Sequence, residues 1–232
     1  MTAKDFSAAL SSSEVFYMFE NMKADLRAAR ERDPAARSNF EIFMLYSGFH
    51  AICHHRVAHF YYRHKLFFLA RLTSQLNKFF TGVEIHPAAK IGPGFFIDHG
   101  TGVVIGETTE IGANCTIYQG ATLGGTGKDV GKRHPTLGNN VMVGAGAKVL
   151  GPFTVGDNSK IAANAVVLDP IPPDSTAVGV PARVVRRNGA KATCADLDQI
   201  HIPDPIAQEL CAMRIRLERM QKELDELKAK EE

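Results

Sequence analysis

Two short polar clusters in the middle stretch of this chain carry side chains suited to chemistry. One is Asp98-His99 and the other is Arg133-His134. A neutral imidazole, with an unperturbed pKa near ~6.5, can take a proton from a hydroxyl at neutral pH. A carboxylate placed on its second ring nitrogen fixes the tautomer and steadies the imidazolium. A guanidinium offers a planar fork that matches a carboxylate. A base, an anion and a cation are parts that can move a proton and hold charged groups of a small molecule.

The elements that position these clusters are announced by a six-residue beat. Large aliphatic residues recur at Ile85, Ile91, Ile97 and Val103, then at Ile105, Ile111, Ile117 and Leu123. They return at Leu137, Val143, Val149, Val155, Ile161 and Val167. Neither an α-helix nor an alternating strand has this period, so it signals a solenoid whose rungs bury one another's apolar faces. The beat slips by two residues after Val103 and breaks between Leu123 and Leu137, where GGTGKDVGKRHPT intervenes. His99 follows inward-facing Ile97 by two residues, which sets it near a corner and pointing out of the core. Both clusters thus sit at or beside interruptions of the wall.

Three zones follow. Residues 1–82 read as a helical domain, with apolar spacings of three and four at Val15-Phe16-Phe19 and Met22-Leu26. A second helix is expected over Phe40–Ile52, a third through Val57-Phe60-Tyr61 and a fourth from Phe67 to Phe80, closed by Gly82. Residues 83–187 hold the repeat. Residues 188–232 form a tail in which Ile206, Leu210, Met213, Leu217, Met220, Leu224 and Leu227 alternate spacings of four and three. That is a heptad seam over 206–228, suited either to packing on its own subunit or to a short coiled coil along an oligomer axis.

Bulk properties remove several function classes. A formal charge of +2 on 232 residues gives no case for nucleic acid or an anionic membrane. No apolar run approaches the ~20 residues of a membrane helix. Cys53, Cys115, Cys194 and Cys211 are widely spaced without a CxxC, and no signal-peptide pattern opens the chain, so a reducing cytoplasm is expected. His50, His54, His55 and His59 include i,i+4 pairs, but they lack an HExxH glutamate and the two pairs do not share one face, so no metal is expected. Gly124-Gly125-Thr126-Gly127-Lys128 lacks P-loop spacing.

The segments GVEIHPAAKIGPGFFIDHGTGVVIGE, GATLGGTGK, RHPTLG, VGAGAKVLG and VGVPARVV, together with RERDPA ahead of them, resemble the serine O-acetyltransferases among the hexapeptide-repeat acyltransferases. The resemblance covers roughly residues 15–187 and implies an α+β fold: an N-terminal α-helical domain, then a left-handed parallel β-helix, then a C-terminal helical tail. It implies transfer of acetyl from acetyl-CoA to the hydroxyl of L-serine, giving O-acetylserine for cysteine biosynthesis, in a ternary complex without an acyl-enzyme.

Residue by residue, the resemblance makes His99 the general base, with Glu84 as the carboxylate that orients it, where many members carry aspartate. Asp33 and Asp98 match the acidic residues used on the amino group, and Arg133 matches the partner of the substrate carboxylate. His134 matches a second histidine that reaches in from a neighbouring subunit and can steady an oxyanion. Gly125, Thr126, Ala145, Gly146, Lys160 and Ala163 match positions along the acetyl-CoA groove between two β-helices. The resemblance also implies a homotrimer or dimer of trimers, and L-cysteine as feedback inhibitor. Members that bind O-acetylserine sulfhydrylase do so through a C-terminal isoleucine. This sequence reads Lys230-Glu231-Glu232, so that complex is not expected. Two rival readings are acetylation of another alcohol such as a sugar, which would need no fixed charges, and an inactive scaffold, against which the intact His99 speaks.

Overall fold

The computed structural model describes residues 12–127 and 130–187, together with Met213, Leu217, Arg219 and Met220. Four helices open it: α1 (Ser12–Arg32), α2 (Asn39–Leu45), α3 (Ser47–Arg63) and α4 (Phe67–Thr81). Ser38 caps α2, its Oγ accepting the Glu41 N–H at 3.1 Å, while the Glu41 carboxylate accepts the Arg37 N–H at 3.0 Å. The single helix expected over Phe40–Ile52 is divided at Tyr46, whose φ of −84° and ψ of 107° are extended. The reason lies in the next turn. Gly48 presses on the Ile97 carbonyl, where a Cβ would lie 2.0 Å from the oxygen. The chain must bend at Tyr46 to lay α3 against the solenoid that closely. The residues expected as a third helix continue α3.

From Glu84 the described residues wind into fifteen short strands arranged in three sheets. The first holds β1 (Glu84–Ile85), β4 (Val104–Ile105), β7 (Thr122–Gly124), β10 (Lys148–Leu150) and β13 (Val166–Val167). The second holds β2 (Lys90–Ile91), β5 (Glu110–Ile111), β8 (Thr136–Leu137) and β11 (Thr154–Val155). The third holds β3 (Phe96–Asp98), β6 (Thr116–Tyr118), β9 (Met142–Val143), β12 (Lys160–Ile161) and β14 (Ser175–Val178), with β15 (Arg183–Arg187) antiparallel at its edge. Successive strands visit the three sheets in turn, so the chain forms a parallel β-solenoid with three corners per coil.

The register locates each interruption. Lys148 pairs with Val166, which is the regular coil of three six-residue rungs. An unbroken beat would bring Gly102 beside Glu84, but Glu84 pairs with Val104, because the corner after His99 is longer than the others. Likewise an unbroken beat would bring Asn140 beside Thr122. Thr122 instead pairs with Lys148, because the excursion before Pro135 lengthens that coil. The beat residues form the core: Ile85, Ile97, Val103, Ile105, Ile111, Ile117, Leu123, Leu137, Val143, Val149, Val155, Ile161 and Val167 are buried, and Ile91 is half-buried.

The helices are fastened to the first coil by polar anchors. Arg56 and Asp25 form a buried ion pair at 2.7 Å. The guanidinium also donates to the Ile91 and Gly92 carbonyls, and Asp25 accepts the Phe95 N–H. Helix α4 turns Ala70, Ser74, Asn77 and Thr81 inward and leaves Phe68, Phe79 and Phe80 exposed. An aromatic stripe left in water is the mark of a contact surface. The histidines of α3 are used within the fold: His50 donates to the Phe43 carbonyl, His54 to that of His50 and His59 to that of Pro87. Burial drives His55 well below its ordinary pKa. Of the heptad over 206–228, Met213, Leu217 and Met220 are helical and exposed, and the rest lies outside the described residues. No helix among the described residues is long and apolar enough to cross a membrane.

Candidate active site

The first cluster occupies the corner between the third and first sheets. β3 ends at Asp98, and His99 turns the corner in the left-handed region at φ 58°. Its carbonyl accepts the Thr101 N–H at 3.0 Å and the Ser47 hydroxyl at 3.4 Å, while its ring stands in solvent. Nε2 of that ring lies 4.0 Å from Asp98 Oδ1.

Helix α1 delivers the second carboxylate. Arg32, the last residue of α1, is buried and donates to the Gly94 and Cys115 carbonyls and to Thr116 Oγ1 at 3.1–3.2 Å. That pins the helix end to the third sheet and carries Asp33 to Asp98. Asp33 Oδ1 accepts the Ala35 N–H at 2.8 Å and Oδ2 accepts the Tyr46 hydroxyl at 2.6 Å. Burial raises the Asp98 carboxyl above its usual range; the neighbouring imidazole pulls it back, and the negative charge of Asp33 pushes it up. Burial and the bond to Asp33 push the Tyr46 phenol up to about 12, so it stays a donor. Two carboxylates that feel each other's charge create a local demand for a cation.

The second cluster occupies a different corner, between the first and second sheets. The excursion before Pro135 folds back onto the coil below and sets Arg133 and His134 against Gly106, Glu107 and Thr108. Arg133 forms an ion pair with Glu107. The His134 ring lies directly over Gly106, where a Cβ would fall 1.9 Å from its Cδ2. Its Nδ1 accepts the Thr108 N–H at 3.2 Å and lies 2.9 Å from the Thr108 hydroxyl. Burial holds the His134 pKa below its ordinary value, the charge of Arg133 adds to this, and Glu107 opposes it. A single chain therefore brings Asp33, Asp98 and His99 together at one corner and Arg133 and His134 at another.

The remaining expected residues divide in the same way. Ala145, Gly146 and Ala163 lie at the same corner as His99, one and two coils above Gly120. There a Cβ on Gly102 would meet Gly120 at 3.6 Å, one on Gly120 would meet Gly146 at 3.5 Å, and one on Gly146 would meet the Asn164 amide oxygen at 2.2 Å. Glycine backbone thus runs upward from His99 along the solenoid as far as Gly146, where the Asn164 side chain covers it. Gly125 backs onto the Arg133 carbonyl, and Thr126 follows it at the other corner. Lys160 stands half-exposed on β12. Glu84 pairs with Lys78 at 2.6 Å rather than with the His99 ring.

Tyr46, Gly106, Glu107 and Thr108 are site residues that the sequence did not single out. The signal for the last two was a polar Glu-Thr pair at a corner one coil below the excursion, but its partner depends on how the excursion folds back. Among the described residues no group of three His, Cys, Asp or Glu side chains could hold a metal ion.

Comparison with known proteins gives a consistent picture. The family "Serine acetyltransferase, N-terminal" matches residues 3–53, "Bacterial transferase hexapeptide (six repeats)" matches 134–169, and "Hexapeptide repeat of succinyl-transferase" matches 102–125. The serine acetyltransferase of Bacillus pumilus (strain SAFR-032) is 54% identical over 214 residues, 92% of this chain and 98% of that protein. Three of the similar solved structures illustrate this. One is the Neisseria gonorrhoeae enzyme in complex with serine, at 42% identity and TM-score 0.73, covering 79% of this chain and 74% of that one. Another is a serine acetyltransferase in complex with cysteine, at 42% and 0.80, covering 86% and 77%. The third is the Brucella abortus strain S19 enzyme in complex with coenzyme A, at 40% and 0.74, covering 80% and 74%.

Proposed function

The chain belongs to the serine acetyltransferase family, and from that membership we propose that it moves acetyl from acetyl-CoA to the hydroxyl of L-serine, yielding O-acetylserine and CoA. The observation that carries the reading in this molecule is the Asp33–Asp98 pair beside His99. A primary ammonium relieves the repulsion between the two carboxylates and places the attached alcohol next to the exposed imidazole. A sugar hydroxyl would leave that repulsion in place.

In the proposed reaction His99 takes the proton of the serine hydroxyl as its oxygen attacks the thioester carbonyl. Such a positioned base contributes ~10²–10⁴-fold. Glu84, released from Lys78, would fix the ring's other nitrogen. Arg133 holds the serine carboxylate, and His134 donates to the oxyanion. The tetrahedral intermediate then collapses with departure of the CoA thiolate, which takes up the proton. The glycine column of Gly102, Gly120 and Gly146, with Ala145 and Ala163, gives the pantetheine arm a smooth edge, and Gly125, Thr126 and Lys160 serve its far end.

Because the two clusters stand at different corners, we read the working site as shared by two copies in a homotrimer or dimer of trimers. The exposed stripe on α4 supports packing between copies. L-Cysteine presents the same ammonium and carboxylate as L-serine, which supports feedback inhibition at the serine position. Thiol release from acetyl-CoA, measured with L-serine, L-homoserine and a galactoside, tests the substrate. Equal rates with the galactoside would reject it. Sedimentation of the full chain and of one cut after Arg187 tests whether the tail contributes to assembly.

A further inference from the structure

We propose that Thr108 is the positioning residue that fixes His134 as a neutral Nε2–H donor, aimed at the oxygen that becomes negative during acyl transfer. The proposal rests on the reading of His134 as the oxyanion donor, and its tautomer half can be tested without turnover.

The hydrogen-bond count leaves one arrangement. A backbone amide only donates, so the Thr108 N–H at 3.2 Å makes His134 Nδ1 an acceptor. The Thr108 hydroxyl accepts the N–H groups of Arg133 at 3.0 Å and His134 at 3.1 Å, which fills both its lone pairs. Its one proton must then point to the remaining neighbour, Nδ1 at 2.9 Å. Nδ1 faces two donors and cannot carry a hydrogen, so the proton of the neutral ring resides on Nε2. Nε2 finds no acceptor among the described residues. A histidine with its donor proton unspent is what an oxyanion requires. The imidazolium would set a third N–H against the two Thr108 donors, so the ring is held neutral.

One side chain also ties this tautomer to the placement of Arg133, since the same hydroxyl holds the Arg133 and His134 amides. Thr108 needs both an O–H and a fixed χ1, and the β-branch supplies the second. Serine keeps the hydroxyl; valine keeps the shape and loses it.

The experiment uses the full-length oligomer. The ring nitrogens of His134, assigned by their loss in His134→Ala, are read in 15N spectra. The expected pattern is a protonated Nε2 and a bare, hydrogen-bonded Nδ1; a protonated Nδ1 overturns the proposal, whatever the rate. Thr108→Val is expected to lower kcat by about 10²-fold, the loss typical of one oxyanion donor, with KM for acetyl-CoA within about twofold of wild type. Thr108→Ser is expected to stay within about threefold of wild type. A Thr108→Val enzyme with wild-type kcat, or a folded Thr108→Ser enzyme as slow as the valine variant, also overturns it. If Thr108→Val does not fold, the wild-type spectrum and the serine variant decide. A wild-type spectrum of the expected form with no loss in His134→Ala would instead reject the oxyanion reading.

Discussion

Gly106→Ala isolates the placement of His134 from its chemistry. The added methyl would lie 1.9 Å from His134 Cδ2 and 2.1 Å from Nε2, where ordinary contact begins at 3.4 Å. The local backbone is held by the Gly106 N–H to Leu123 carbonyl bond at 3.1 Å and the Thr109 N–H to Gly106 carbonyl bond at 3.2 Å. The φ of Gly106 is outside the left-handed region, so alanine adds bulk without backbone strain. The imidazole must therefore retreat by about 1.5 Å, and a misplacement of ~1 Å in a positioned group can cost ~10²-fold. That corresponds to about 2.7 kcal/mol in the barrier. The overpacking itself is expected to cost ~1–3 kcal/mol of stability, too little to unfold the chain. Thiol release at saturating serine and acetyl-CoA is the assay. The expected result is a kcat about 10²-fold below wild type, with the Gly106→Ala/His134→Ala pair no slower than His134→Ala alone. A kcat within about threefold of wild type would refute the reasoning, as would a double variant far slower than the single one.

Three further outcomes follow from the same geometry. His99→Ala is expected to reduce thiol release by ~10²–10⁴-fold at pH 7.5; an unchanged rate would end its assignment as base. Asp33→Asn removes a charge that pushes the Asp98 carboxyl up. KM for serine rises as pH falls and Asp98 protonates, so in the variant this acid limb moves to lower pH, while KM at pH 7.5 increases by roughly 10–100-fold; a limb that stays or moves upward contradicts the pairing. Arg56→Met strands Asp25, whose side chain is 0% exposed, without its partner. The expected cost is ~3–5 kcal/mol, or roughly 10 °C in Tm for a chain of this size. Adding Asp25→Leu should recover part of the loss, and a scan in which the double variant melts lower than Arg56→Met would contradict the account.

The solenoid was legible because its core tolerates only one pattern. Thirteen of the fourteen beat positions are buried and Ile91, beside the helices, is half-buried. His99 was legible for the same reason: a residue two past Ile97 has to leave the wall, and Asp98 must accompany it. The Tyr46 break was not legible, because its cause is the Ile97 carbonyl pressed on Gly48, a contact between a helix and a strand far apart in sequence. Thr108 was hidden likewise. Its partners Arg133 and His134 lie in a segment that departs from the repeat, so no period relates them to it. Glu84 shows a third kind of limit. Its expected partner is the His99 ring, and in this conformation its carboxylate reaches Lys78 instead.

The corner geometry makes, independently, a demand that the sequence resemblance also implies. Ile105, Ile117 and Leu123 fill the space between the corners with packed side chains, each at most 1% exposed. That packed core separates the two corners, so in the proposed site His99 of one chain works with His134 of a neighbour. On that proposal each corner meets the complementary corner of a neighbour. A cyclic arrangement supplies this with one interface repeated around the axis. His99→Ala and His134→Ala chains, each inactive alone, should then complement each other when refolded or co-expressed as mixed oligomers. A site is whole only where a His134→Ala chain offers its His99 to a neighbouring His99→Ala chain that offers its His134. Random mixing in equal amounts makes about one quarter of sites whole whatever the number of copies in the ring. Recovery near that fraction of wild-type activity is the expected result. Mixtures as inactive as their parents, in oligomers shown by mass to contain both chains, would place both histidines in one chain's site and reject the shared arrangement.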